Sequence, residues 1–132
     1  MLDIRAYRDA DHAATASLLP PDAAIPDWGH CYVVLDDGEI VGIIGTEVRL
    51  SGLYVSLVAE PLYMARTGRA ALVALGWLDG LMRGLAAANG LAGYGFSVRN
   101  SNVRFQGFCE RHLPVKIIQS TGEAKSYWRT FS

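Results

Sequence analysis

Hydrophobic and polar positions alternate in short blocks along most of this chain, and one long block repeats at helical spacing instead. Residues 2–7 alternate as a first strand. Asp9 or Asp11 can cap a short helix through Leu19, which Pro20 and Pro21 end. The segment 20–30, with three prolines and Trp28, reads as irregular chain lying over a cleft. Apolar runs at 31–35 and 39–48 flank Asp36-Asp37-Gly38, a hairpin signature, because Asp-Gly supplies the positive φ angles of a tight turn. Ser51-Gly52 turns the chain into a strand at 53–59, closed by a turn at Glu60-Pro61. From about Ala70 the period lengthens: Ala71, Leu75, Leu78, Met82 and Leu85 fall on one helical stripe, which stops at Asn89-Gly90. Residues 93–98 form a further strand, and Asn100-Ser-Asn102 caps a helix to about His112. Two last strands, 115–119 and 127–131, pair around Gly122. The order β-α-β-β-β-α-β-α-β-β predicts an α/β (α+β) fold: one domain over 1–132, with a single mixed, mostly antiparallel sheet flanked by helices.

Composition narrows the function classes. A chain of 132 residues, 51% hydrophobic and 19% charged, can bury one substantial core and is not disordered. Lys+Arg 12 against Asp+Glu 13 leaves no bulk charge to attract nucleic acid or a membrane surface, so an anionic ligand must be held locally. Cys31 and Cys109 are too few and too far apart for a disulfide framework or a metal site. With no apolar signal core at Met1-Leu-Asp-Ile-Arg5, a cytoplasmic location is expected.

The helical block carries Gly76, Gly80 and Gly84 at every fourth position, a spacing that packed membrane helices also use. Asp79 and Arg83 lie in its middle, where each would cost about 3 kcal/mol at a bilayer centre, so no membrane is expected. At i,i+4 they can pair with each other. Each glycine gives up about 1 kcal/mol of helix propensity relative to alanine. Close approach of another backbone would offset that: the chain's own sheet in the first place, or a second copy in a helix–helix homodimer.

The candidate chemistry sits just before that helix. A strand feeds Ala65-Arg66-Thr67-Gly68-Arg69-Ala70-Ala71, a small-residue loop at a helix start. First-turn amides have no internal partner, the helix dipole adds positive charge there, and small residues let a phosphate approach both. Two readings of the loop stand: a diphosphate cradle flanked by Arg66 and Arg69, and a tight strand-to-helix connection with a solvated arginine pair.

Three stretches then carry a resemblance. They are Val33-Val-Leu-Asp-Asp-Gly-Glu-Ile-Val-Gly42, the run from Leu57-Val-Ala-Glu-Pro61 to Gly68-Arg-Ala70, and Ser97-Val-Arg-Asn-Ser-Asn102. In this order of elements the chain resembles the Gcn5-related N-acetyltransferase (GNAT) superfamily along nearly its whole length. The resemblance implies a fourth and fifth strand that splay apart around acetyl-CoA. Leu57, Val58 and Ala59 would then offer backbone groups to the pantetheine arm. Thr67, Gly68, Arg69, Ala70 and Ala71 would form the diphosphate cradle, and Asn102 would join the cofactor contacts. The family loop pattern (Gln or Arg, two residues, Gly, one residue, Gly or Ala) fits in neither register: alignment on Gly68 puts Ala65 first, and alignment on Arg66 puts Arg69 at the first glycine.

The same resemblance implies the catalytic candidates. Seven residues after Asn102, where many members place a tyrosine that protonates the leaving thiolate, this chain has Cys109. A thiol, with an ordinary pKa of about 8.5, can donate a proton; a lone cysteine on an amphipathic helix also suits a small core residue. The early fourth strand holds no acid, so Glu47 on the third strand is the nearest base, acting through a water, with Glu60 at the strand's far end. His30 and Trp28 precede the second strand in the expected acceptor loop, and His12 reads as surface. His112, three positions from Cys109, has no third orienting group, so a cysteine hydrolase is rejected. The expected activity is transfer of an acetyl group from acetyl-CoA to a small-molecule or protein amine. The alternative is a GNAT-like domain that has lost turnover and serves as a binding or structural component of an assembly.

Overall fold

The computed structural model describes residues 1–19, 30–51 and 54–131. The strands are β1 (Leu2–Ala6), β2 (Cys31–Asp36), β3 (Glu39–Ser51), β4 (Tyr54–Met64), β5 (Gly93–Arg99), β6 (Val115–Ser120) and β7 (Ala124–Thr130). The helices are α1 (His12–Leu18), α2 (Arg69–Asn89) and α3 (Val103–His112). All strands join one sheet in the order β1-β2-β3-β4-β5-β7-β6. Neighbours pair antiparallel except β4 and β5, which run parallel. The expected order of elements and sheet class are those observed. The expected acceptor segment at 20–29, with Trp28, and the turn residue Gly52 lie outside the described residues.

Two layers of helix follow from where the apolar stripes fall. Ala71, Leu75, Leu78 and Met82 of α2 are each at most 1% exposed and share one core with Val34, Ile44, Leu57 and Phe96 of the sheet. Phe105, Phe108 and Cys109 of α3 enter the same core. Leu19, just after α1, packs with Cys31 and Ile43 in a second, smaller cluster. Full burial of a Leu or Met side chain is worth about 1.5–3 kcal/mol, so the α2 stripe contributes several kcal/mol to holding the helix on the sheet.

Two expectations about α2 are corrected. Its glycines do not approach the sheet: a Cβ built on Gly76, Gly80 or Gly84 meets nothing within 4 Å. The apolar stripe takes the inner face, which leaves these positions outward. Asp79 and Arg83 do not pair with each other. Asp79 accepts from the Tyr94 hydroxyl at 3.1 Å and from Arg129 at 3.1 and 3.2 Å. Arg83 lies over the Phe131 ring, 4.5 Å from its centre. By length and composition α2 could cross a membrane (mean hydropathy 1.3); here its inner face covers a sheet and its central carboxylate is tied to β5 and β7.

The fourth strand differs most from expectation. Instead of turning at Glu60-Pro61, β4 runs on to Met64. Thr46 pairs with Ala59 and Ile44 with Leu62, so Glu60 and Pro61 together face Gly45 as a bulge. A bulge leaves a residue out of the ladder, and a proline, which has no N–H to give, is tolerated there.

Candidate active site

Among the described residues, β4 and β5 pair at Val58–Gly95 and Ala59–Phe96 alone. Beyond Ala59 the two strands part. The opening holds a cleft of about 210 Å³, with Glu60, Pro61 and Tyr63 on one wall and Ser97, Arg99 and Asn102 on the other. Glu123 and Leu19 complete its rim. The expected cofactor contacts on this strand lie at the start of the parting. Val58 and Ala59 sit in the paired stretch with Leu57 buried just before it; the backbone that borders the opening is residues 60–64.

Asn102 stands at the wide end of the cleft. It was expected to cap α3, yet it makes no side-chain cap bond. Its Nδ2 donates to the Met64 carbonyl at 3.2 Å, across the gap between the strands. Gln106 Nε2 in turn donates to the Val98 carbonyl at 3.0 Å and to Asn100 Oδ1 at 2.9 Å, which ties the start of α3 to β5.

The loop after β4 brings five expected residues to one place. Gly68 is the N-cap of α2, with φ 89° and ψ −144°, and no side chain caps the helix. That backbone region is almost closed to residues with a Cβ, and a Cβ on Gly68 would meet nothing within 4 Å. Thr67 is half-buried and Arg69 exposed, while Ala70 and Ala71 turn their methyls into the core. The first-turn amides are therefore free of side-chain caps, the condition an anion site requires. Of the two arginines, Arg69 lines a neighbouring cavity with Asp36, Ala70 and Val73. Arg66 is bound to Glu39 at 2.8 Å and to Asp36 at 3.5 Å.

The catalytic candidates are redistributed. Cys109 has no exposed surface, and burial, with the nearby Glu110 charge, pushes its thiol up to about 12. It is not among the described residues lining the cleft. Phe105 and Phe108 fix this orientation, because they put the same face of α3 inward. Glu47 lines a second cavity with His30, Thr46, Val48, Leu57 and Leu85, and not the cleft. Arg49 bridges it to Glu60, donating to both carboxylates at 2.8 and 2.7 Å. These bonds, Glu60 first, strengthen the hold of the Arg49 guanidinium on its proton. Glu60 is thus the β4 carboxylate at the opening, with Glu123 on its rim. His112 lies tilted against the Phe108 ring, and His12 is exposed beside the Tyr7 hydroxyl.

Sequence reasoning missed Tyr63, Arg99, Ser97 and Glu123 as cleft residues. The first three follow from alternation once the strands are known to part, but the parting itself is a three-dimensional property. Ser97 Oγ is held 2.9 Å from Ser126 Oγ on β7.

No protein-family model and no curated protein matches this sequence. Solved structures do match in shape. Naa20 from Chaetomium thermophilum, in complex with a bisubstrate analogue, superposes with TM-score 0.71 at 16% identity, covering 98% of this chain and 86% of that one. The NatC complex bound to Gag peptide and CoA gives 0.66 at 12% identity, with 99% of each chain covered. The ribosomal-protein-S18-alanine N-acetyltransferase from Escherichia coli gives 0.62 at 16% identity, with 100% and 95% covered. With its seven-stranded mixed sheet, three helices and parted central strands, the chain has the fold of the GNAT acetyltransferases.

Proposed function

We propose that this protein is an acyl-CoA-dependent N-acyltransferase, with acetyl-CoA as donor and an amine as acceptor. The observation that carries the proposal is the parting of β4 from β5 beyond Ala59, next to a helix start whose amides no side chain caps. The residues fit such a ligand. Residues 60–64 border a slot for an extended arm, and residues 67–71 bring a glycine whose outer side is open, two small alanines and the exposed Arg69 to the helix start.

The donor supplies an activated acetyl thioester. The chain's own part is to orient it and to manage one proton. Glu60, fixed on one oxygen by Arg49, accepts the proton that the amine loses on attack. Backbone amides of β4 beside the opening stabilise charge on the reacting carbonyl oxygen. A thiolate is a weak enough base to leave unprotonated, so departure has no absolute need for a proton donor, and the burial of Cys109 is compatible with turnover. A small molecule and a protein amino group both remain as acceptor.

A second reading has its own support. Arg66 is already bound to two carboxylates and Cys109 is sealed in the core, as in a GNAT-like domain that serves as a binding component without turnover. Acetyl-CoA titration by calorimetry and thermal shift separates the two. At about 100 times its Kd, bound ligand stabilises the fold by about 2.7 kcal/mol. Absence of any shift at a concentration on the order of 1 mM would remove the transferase reading.

A further inference from the structure

The start of α2 faces the β2–β3 hairpin, and the hairpin is acidic there. Arg66 Nη2 donates to Glu39 Oε2 at 2.8 Å, and Nη1 to Asp36 Oδ2 at 3.5 Å. Asp36 also lines the cavity beside the first turn of α2, with Arg69 and Ala70. Asp36 therefore borders the place where an anion would use the helix amides, Glu39 stands on the same hairpin, and both hold Arg66. The three side chains are partly exposed, at 49% for Arg66, 33% for Asp36 and 66% for Glu39. Ion pairs of this kind hold weakly in water. A diphosphate oxygen is a stronger partner for a guanidinium, because the planar fork matches its geometry.

We propose that Arg66 is an exchanged residue: it leaves Asp36 and Glu39 to meet a diphosphate-bearing ligand at residues 67–71, and the two carboxylates weaken the hold on that ligand. The inference rests on the acyl-CoA reading of that loop. It accounts for the pairing of Arg66 without treating the pairing as loss of function. Asp36 and Glu39 act as negative determinants of affinity, by competing for the arginine and by repelling the anion once it arrives.

The test is calorimetric titration of acetyl-CoA into the wild-type chain and into E39Q, D36N and R66Q, with far-UV circular dichroism to establish that each is folded. E39Q and D36N should each tighten binding by about two- to five-fold, and R66Q should weaken it by a similar factor. The gains should shrink at about 0.5 M salt, because exposed charges are screened there. A wild type that binds, with E39Q and D36N no tighter or R66Q equally tight, overturns the exchange and leaves the acyl-CoA reading standing. No binding by the wild type or by any folded variant overturns both.

Discussion

Gly45 on β3 lies against the backbone of Glu60 on β4 so closely that a Cβ at Gly45 would collide with the Glu60 carbonyl. The contact falls where Glu60 and Pro61 bulge out opposite this one residue. The glycine therefore lets the backbone of the bulge sit close on β3. Gly45→Ala should force the bulge outward, with a loss of about 1–3 kcal/mol as for other overpacked sites. Chemical denaturation measures the loss. An unchanged midpoint would mean that the backbone yields there without strain.

Asn102 to Met64 is the one described side-chain hydrogen bond across the wide end of the opening between β4 and β5. Asn102→Ala should lower stability by about 1 kcal/mol, the net worth of one such bond. It should also weaken acetyl-CoA binding by a few fold, since the slot loses its tie. Equal affinity in a folded Asn102→Ala variant would show that the slot keeps its shape without this bond.

Both thiols should be unreactive in the folded chain. Burial pushes Cys31 up to about 11, against a small opposing effect of the Tyr32 amide, and Cys109 up to about 12. Only a thiolate alkylates readily. Iodoacetamide at neutral pH should label neither residue until denaturant is added, whereas fast labelling of Cys109 would restore it as a candidate acid. Cys109→Ala should lower stability by about 1 kcal/mol and leave acetyl-CoA affinity unchanged.

Gly76, Gly80 and Gly84 occupy a 21-residue helix with open space where their side chains would be. If no partner covers this face, Gly→Ala at each should stabilise the chain by about 0.5–1 kcal/mol, through helix propensity. If two copies pack helix to helix here, the same changes should instead lower the dimer fraction. Thermal melts and sedimentation on one set of variants read both effects.

Arg5 grips Asp11 with two hydrogen bonds, at 2.7 and 2.8 Å, and the Arg8 amide adds a third at 2.9 Å. The Arg5 bonds come first in lowering the Asp11 carboxyl to about 2, against partial desolvation. A depressed carboxyl stabilises the fold above its unfolded pKa of about 3.9 and loses that stabilisation as pH falls toward the folded value. The chain should therefore lose stability between about pH 4 and pH 2, and Asp11→Asn should flatten that limb. An unchanged acid limb in Asp11→Asn would assign the transition to other carboxylates.

The hairpin, the long helix and the order of elements could be read from the sequence because each rests on a local pattern. Asp37 and Gly38 do take positive φ, at 50° and 85°, and the Ala71-to-Met82 stripe is buried as its spacing predicts. The failures have a different cause. Pro61 looked like the end of a strand, but a bulge opposite Gly45 accommodates it, and that partner lies on another strand. The glycines of α2 have the spacing of a packed face, yet spacing alone does not say which face is inward. Asn102 has the residue type of a cap; its acceptor, the Met64 carbonyl, lies 38 residues away. Cys109 was placed by counting from Asn102, whereas Phe105 and Phe108 on the same helix already marked its face as interior.

The short seam at Val58–Gly95 and Ala59–Phe96 makes the sheet two leaves on a narrow spine. Leu57, Ala59, Tyr94 and Phe96 share one core beneath that spine, so packing from below holds the leaves together. Past the spine the described residues of β4 and β5 form no ladder with each other; Asn102 takes the Met64 carbonyl and Gln106 the Val98 carbonyl, and the other facing main-chain groups are left to water or to whatever slides between. A guest threaded there would act as a temporary strand. The chain leaves its own sheet one strand short, in the middle, where most proteins finish theirs.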